Sequence, residues 1–146
     1  SSRKEQSFAL PAGTEAVIDD IDSVKGPLCG ILSAMKTCPN ADWLVIACDL
    51  PYLNVDVLED QISHYREKKP QLTAYRGAHD AQPEPLCAIY PAGTADHLIE
   101  RSCTLGTYSP RKLLIESAAR LIQLRHSKSL DNINTVAEYE AATKSK

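Results

Sequence analysis

The 146-residue sequence has one methionine, one tryptophan, one phenylalanine and six glycines, and no apolar run approaches a transmembrane length. The opening "SSRKEQSFAL" has neither the apolar stretch nor the cleavage pattern of a signal peptide. There is no glycine-rich loop with lysine and arginine close by, so no convincing cradle for a triphosphate is present. Positive charge is not in excess either. A net charge of −3 and no basic-aromatic stripe exclude the footprint of a DNA- or RNA-binding protein. The five cysteines, Cys29, Cys38, Cys48, Cys87 and Cys103, are odd in number and form no C-x-x-C pair. That excludes a disulfide framework and a zinc ribbon, and implies reduced thiols in a cytoplasmic protein. His64, His79, His97 and His126 are dispersed without metal-ligand spacing.

What is present is an alternation of strands and helices. The length fits one domain, 1–146, with a single core. Glu15–Ile18 reads as a short extended piece. Pro27 suits a first helical position, and Leu28, Ile31, Leu32 and Met35 follow at helical spacing. Trp43–Cys48 reads as a strand buried on both faces. Asn54 caps a helix whose face is Val55, Leu58, Ile62 and Tyr65. Leu72–Tyr75 and Cys87–Tyr90 read as strands around the polar loop Arg76–Pro85. Thr94 and Ser109-Pro110 open two more helices, Leu121–Leu124 is a strand, and "TVAE" at Thr135 is a capping box for a last helix. This order predicts an α/β fold with a mostly parallel sheet flanked by helices, a Rossmann-like arrangement. "PAGT" occurs at Pro11 and Pro91, too short to be a repeat.

The segment "WLVIACDLPYL" ends its apolar run on Asp49. In an open parallel sheet, ligands gather beyond the carboxyl ends of strands. A carboxylate there suits Mg²⁺, which keeps most of its waters and takes one or two protein carboxylates plus substrate phosphates. The competing role is a turn-forming aspartate ahead of Pro51. Pro51 also stands where an aspartyl-phosphate phosphatase needs its second acid, and the acidic pair and lysine of a receiver domain are not visible. In "VIDDIDSVKGPLCG", Gly26 and the helix opening at Pro27 offer unpaired N–H groups to an anion or a base. The acids Asp19, Asp20 and Asp22 just before it suit a solvated turn, or acceptance of hydrogen bonds from a nucleotide. Cys48, beside Asp49, is expected to pack on the opposite side of the strand as a small hydrophobe.

Taken in order, "VIDD", "GPLCG", "WLVIACDLPYL", "PEPLCAIY" and "LDNINTVAEYEAA" resemble the molybdenum cofactor guanylyltransferase family, of the sugar-nucleotidyltransferase-like fold. The resemblance implies GMP transfer from GTP to molybdopterin. It implies that Asp19 and the Gly26-Pro27-Leu28 turn contact the nucleotide, that Asp49 is the catalytic Mg²⁺ ligand, and that Asn132 and Asn134 lie near the metal or the pterin. Val136 stands where the family has a proline. Arg76 and Arg111 are candidate helpers of phosphate transfer, or surface residues. Alternatives are a cytidylyl-type transferase of the same fold, or a non-catalytic nucleotide- or pterin-binding module.

The family's glycine-rich loop is not in this sequence, so the resemblance makes the chain a single partial nucleotidyltransferase domain, with "SSRKEQ" as a strand end. By itself it is expected to be inactive. Trp43–Cys48 would then form an exposed sheet edge open to self-association. No nucleic acid or membrane partner is implied.

Overall fold

The structure, a computed structural model, describes residues 11–131 apart from His79 and His126. The expectations for "SSRKEQ", Asn132, Asn134 and the helix at Thr135 lie outside the described residues. Helix α1 spans Pro27–Thr37, strand β1 Trp43–Ile46, α2 Val55–Arg66, β2 Thr73–Arg76, β3 Pro83–Tyr90, α3 Ala95–Leu105, α4 Pro110–Glu116 and β4 Arg120–Gln123. A 3-10 turn follows at Ser127–Leu130.

The sheet order is β1-β3-β2-β4. β2 and β4 pair in parallel, whereas β3 is antiparallel to both β1 and β2. Strands β1, β2 and β4 therefore share one direction, and β3 runs back between them. Three of the four strands run in the expected common direction, but the reversed β3 makes two of the three pairings antiparallel, so the sheet is mixed. The reversal has a local cause: only the short loop 77–82 joins β2 to β3, too short for a helical crossover.

Alternation along the strands sends side chains to two cores. On one face Ala74, Ala88 and Tyr90 meet Leu28, Ile31, Leu32 and Met35 of α1, Leu98 of α3, and Leu113 and Leu114 of α4. On the other, Tyr75, Cys87 and Ile122 meet Val57 of α2, with Leu50, Leu53, Leu58 and Leu130 packed around them. Helices thus cover both faces of one sheet. No helix among the described residues is long and apolar enough to cross a membrane.

Four expectations change. β1 stops at Ile46, not Cys48, although the Ala47 N–H still reaches the Leu86 carbonyl at 2.8 Å. The chain then turns out of the sheet, so strand alternation no longer governs Cys48, which is exposed. β1 itself is half-buried with Ile46 42% exposed, because among the described residues it has a strand partner on one side only. In α2 the buried residues are Val57, Gln61 and Tyr65, and Val55 is 63% exposed. Gln61 displaces the expected apolar stripe because it has partners: its Nε2 donates to the Cys87 carbonyl at 2.9 Å, and its Oε1 accepts from the Cys87 thiol at 3.5 Å. A polar side chain with both ends satisfied is not costly to bury. Burial pushes that thiol up to about 12.

The helix ends follow their sequence signals. Asn54 Oδ1 accepts from the Val57 N–H at 3.1 Å, and Ser109 Oγ from the Lys112 N–H at 3.3 Å. Thr94 behaves differently, its hydroxyl donating to the Pro91 carbonyl at 2.7 Å. Thr14 does the same to Pro11 at 2.6 Å. The two "PAGT" stretches share a local turn and nothing more.

Candidate functional site

Asp49 sits where β1 leaves the sheet. Pro51 occupies the second position of a turn closed by the Leu53 N–H on the Leu50 carbonyl at 3.3 Å. Leu50 and Leu53 anchor that turn in the α2-side core, and Asn54 locks its far end to α2. A turn-forming aspartate would accept an N–H from its own loop. Asp49 Oδ1 is buried and has no hydrogen-bond partner among the described residues. A solvent-shielded carboxylate oxygen without a donor is costly unless a ligand completes it.

Asp19 lies ahead of α1 and shares this property: its Oδ1 is buried and unpartnered among the described residues. No other carboxylate oxygen of the described residues has that combination. Asp20 and Asp22 are exposed. Gly26 is the N-cap of α1 at φ 66°, a left-handed value that disfavours a side chain. A Cβ there would meet nothing within 4 Å, so the requirement is conformational and not one of space. Pro27 opens the helix, no side chain caps it, and Leu28 is fully buried. Of the expected nucleotide turn, Leu28 therefore supports the helix from within the core. Gly26 and Pro27 are the exposed part of that turn.

Ala47 and Leu50, on either side of Asp49 in the sequence, help line a cavity of about 130 Å³ with Leu86, Cys87, Arg111 and Leu130, together with Glu84 and Pro85; Asp49 itself does not line it. Leu130, the last residue of the 3-10 turn, brings the far end of the described chain to this cavity. Arg111, from the first turn of α4, stands at the cavity wall. Its Nη1 donates to Asp80 Oδ2, and its Nη2 to Glu84 Oε2 at 3.3 Å. Arg76 is exposed at the end of β2. Reading the sequence missed Asp80 and Glu84 as partners of Arg111. No spacing signal could have found them, since they lie 31 and 27 residues away.

The loop between β2 and β3 is built around Gly77. Its N–H donates to the Gln82 carbonyl at 2.7 Å and its carbonyl accepts from the Ala81 N–H at 3.1 Å. A Cβ on Gly77 would lie 2.6 Å from Glu84 Oε1 and 2.7 Å from Asp80 Oδ1. The Gln82 N–H on Asp80 Oδ1, with the Arg111 guanidinium, holds the Asp80 carboxyl below the usual carboxylate range. Such a group stabilises the fold above its unfolded-state pKa, and that contribution fades as pH falls through the depressed folded value. Gly77→Ala is expected to push Asp80 off both donors and return its titration toward the ordinary carboxylate range. Carboxyl-carbon NMR titration of the two proteins checks this; an unchanged Asp80 midpoint would contradict the loop geometry.

Among the described residues no three His, Cys, Asp or Glu side chains cluster as a metal site. A Mg²⁺ ion, which takes one or two protein carboxylates together with waters and phosphate oxygens, needs no such cluster.

Comparison with known proteins places the sequence in a family. The family profile described as "MobA-like NTP transferase domain" matches residues 1–121. A molybdenum cofactor biosynthesis bifunctional protein of Synechocystis sp. is 32% identical over 139 residues, covering 95% of this chain and 40% of that protein. A probable molybdenum cofactor guanylyltransferase of Clostridium perfringens is 33% identical over 138 residues, covering 89% of this chain and 68% of that protein. The solved structure of molybdopterin-guanine dinucleotide biosynthesis protein A from Archaeoglobus fulgidus superposes with a TM-score of 0.64 at 23% identity, over 82% of this chain and 62% of that one. That likeness shows the fold. The chain thus spans between two fifths and about two thirds of the length of these proteins. With the profile covering most of its length and the Clostridium relative about a third identical, the chain belongs to the MobA-like NTP transferase domain family of nucleotidyltransferases.

Proposed function

We propose that the chain carries out, within the protein its gene encodes, transfer of GMP from GTP to the terminal phosphate of molybdopterin. One observation carries the reading. The carboxylate oxygens that are buried without partners among the described residues belong to Asp19 and Asp49, where a nucleotide acceptor and a metal ligand are required. The names of the relatives, molybdenum cofactor guanylyltransferases among them, support the same substrates.

In this reaction an oxygen of the pterin's phosphate attacks the α-phosphorus of GTP. A new P–O bond forms, the bond to the β-phosphate oxygen breaks, and its electron pair leaves with pyrophosphate. The attacking group is already an anion, so alignment and charge neutralisation matter more than a protein base. Asp19 accepts hydrogen bonds from the nucleotide's ribose or base. The N–H groups of Gly26 and Leu28, uncapped at the start of α1 where Pro27 has none, face its polar atoms. Mg²⁺ bound to Asp49 would offset phosphate charge that these acidic residues cannot. Arg111 is already engaged by Asp80 and Glu84 and is not a free clamp for the triphosphate.

Guanine selectivity is tested by thermal protection. Ligand at about 100 times its Kd raises stability by about 2.7 kcal/mol. GTP with Mg²⁺ is expected to raise the melting temperature of the full-length gene product more than CTP or ATP at equal concentration. Equal shifts for the three, or none, would reject guanylyl transfer as its function.

A further inference from the structure

We infer that Ser33 and Cys29 form a clamp on α1 that positions Asp19 and so sets nucleotide affinity. The inference rests on the proposed nucleotide role of Asp19.

After an isolated bridge residue at Ile18 the segment leading to α1 is irregular, and its backbone polar groups need partners outside any sheet ladder. Two side chains of α1 supply them. Ser33 Oγ accepts the Asp20 N–H at 3.0 Å, and the Cys29 thiol donates to the Ile21 carbonyl at 3.6 Å. Residues 29 and 33 are one helical turn apart on one face, and their Sγ and Oγ atoms are 3.9 Å from each other. The thiol has a single proton, committed to Ile21, so the Ser33 hydroxyl is the donor between them. The bonds then run in one consistent sense: Asp20 N–H to Ser33, Ser33 O–H to Cys29, Cys29 S–H to Ile21. Both side chains are buried, Ser33 at 5% and Cys29 at 7% exposure. Ile21 also packs against the α1 core and accepts the Val24 N–H at 3.1 Å.

The residue next to this clamp is Asp19, whose Oδ1 is buried without a partner among the described residues. A carboxylate held in that state must be kept there by its backbone, because its own hydrogen bonds do not hold it. The pinned groups are those of the two residues that follow it. Loosening them lets Asp19 swing toward water, where it is better solvated and no longer aligned for a ligand.

The test is a double-mutant cycle on the full-length gene product, read as the Kd of GTP with Mg²⁺ by calorimetry. Ser33→Ala is expected to weaken binding about fivefold to tenfold, the scale of one net hydrogen bond. It should also speed amide exchange at Asp20, while Ser33→Thr, which keeps the hydroxyl, stays closer to the native value on both. If Ser33 acts through Asp19, adding Ser33→Ala to Asp19→Ala changes Kd by less than about twofold. Full weakening in the Asp19→Ala background overturns the clamp, as does faster exchange at Asp20 with native affinity. Failure of the native protein to bind GTP would instead overturn the functional reading, and this inference with it.

Discussion

Asp49→Asn is expected to lower Mg²⁺-dependent turnover of the full-length gene product by about 10²-fold or more, the scale set by losing one preorganised charge contact at a reacting phosphate. Asparagine matches aspartate in shape, and no hydrogen bond to Oδ1 among the described residues is lost. The unfolding midpoint should therefore hold or rise slightly, since a buried charge without a donor has been removed. Turnover as a function of Mg²⁺ concentration, measured beside thermal unfolding, separates the two possible roles of this residue. Native turnover with the same Mg²⁺ dependence would assign Asp49 to its turn.

The second large effect is on stability. Leu32 is fully buried where α1 crosses the sheet, in one cluster with Leu28, Met35, Ala88, Tyr90 and Leu98. Leu32→Ala removes that contact and leaves a cavity, at a cost of about 2–5 kcal/mol. Domains of this size hold about 5–15 kcal/mol in total, so a substantial share disappears with one side chain. Urea unfolding reads it directly as a lower midpoint at an unchanged slope. A loss under about 1 kcal/mol would mean that α1 is not fixed to the sheet through Leu32. The site follows from the same packing, because α1 carries both the Gly26-Pro27 turn and the Ser33–Cys29 pair.

The sequence alone determined the features that depend on local chemistry. Asn54, Ser109 and Pro27 open helices because their signals act within one turn of backbone. The apolar run from Trp43 makes a strand, and Pro51 forces the turn that leaves Asp49 at its end. The ordered motifs also named the family. Tertiary structure decided what depends on partners far along the chain. It placed β3 in reverse between β1 and β2, since hairpin closure by the loop 77–82 outranks the parallel habit of the other strands. It put Gln61 in the core, because Cys87, 26 residues away, offers both a carbonyl and a thiol. It engaged Arg111 with two distant carboxylates, Asp80 of the loop 77–82 and Glu84 at the start of β3. It also left Asp19 and Asp49, among all the acids of the described residues, each with a buried oxygen and no donor. Sequence spacing can nominate a carboxylate, but whether its oxygen is hydrated, paired or waiting for a ligand is fixed by the residues that fold around it.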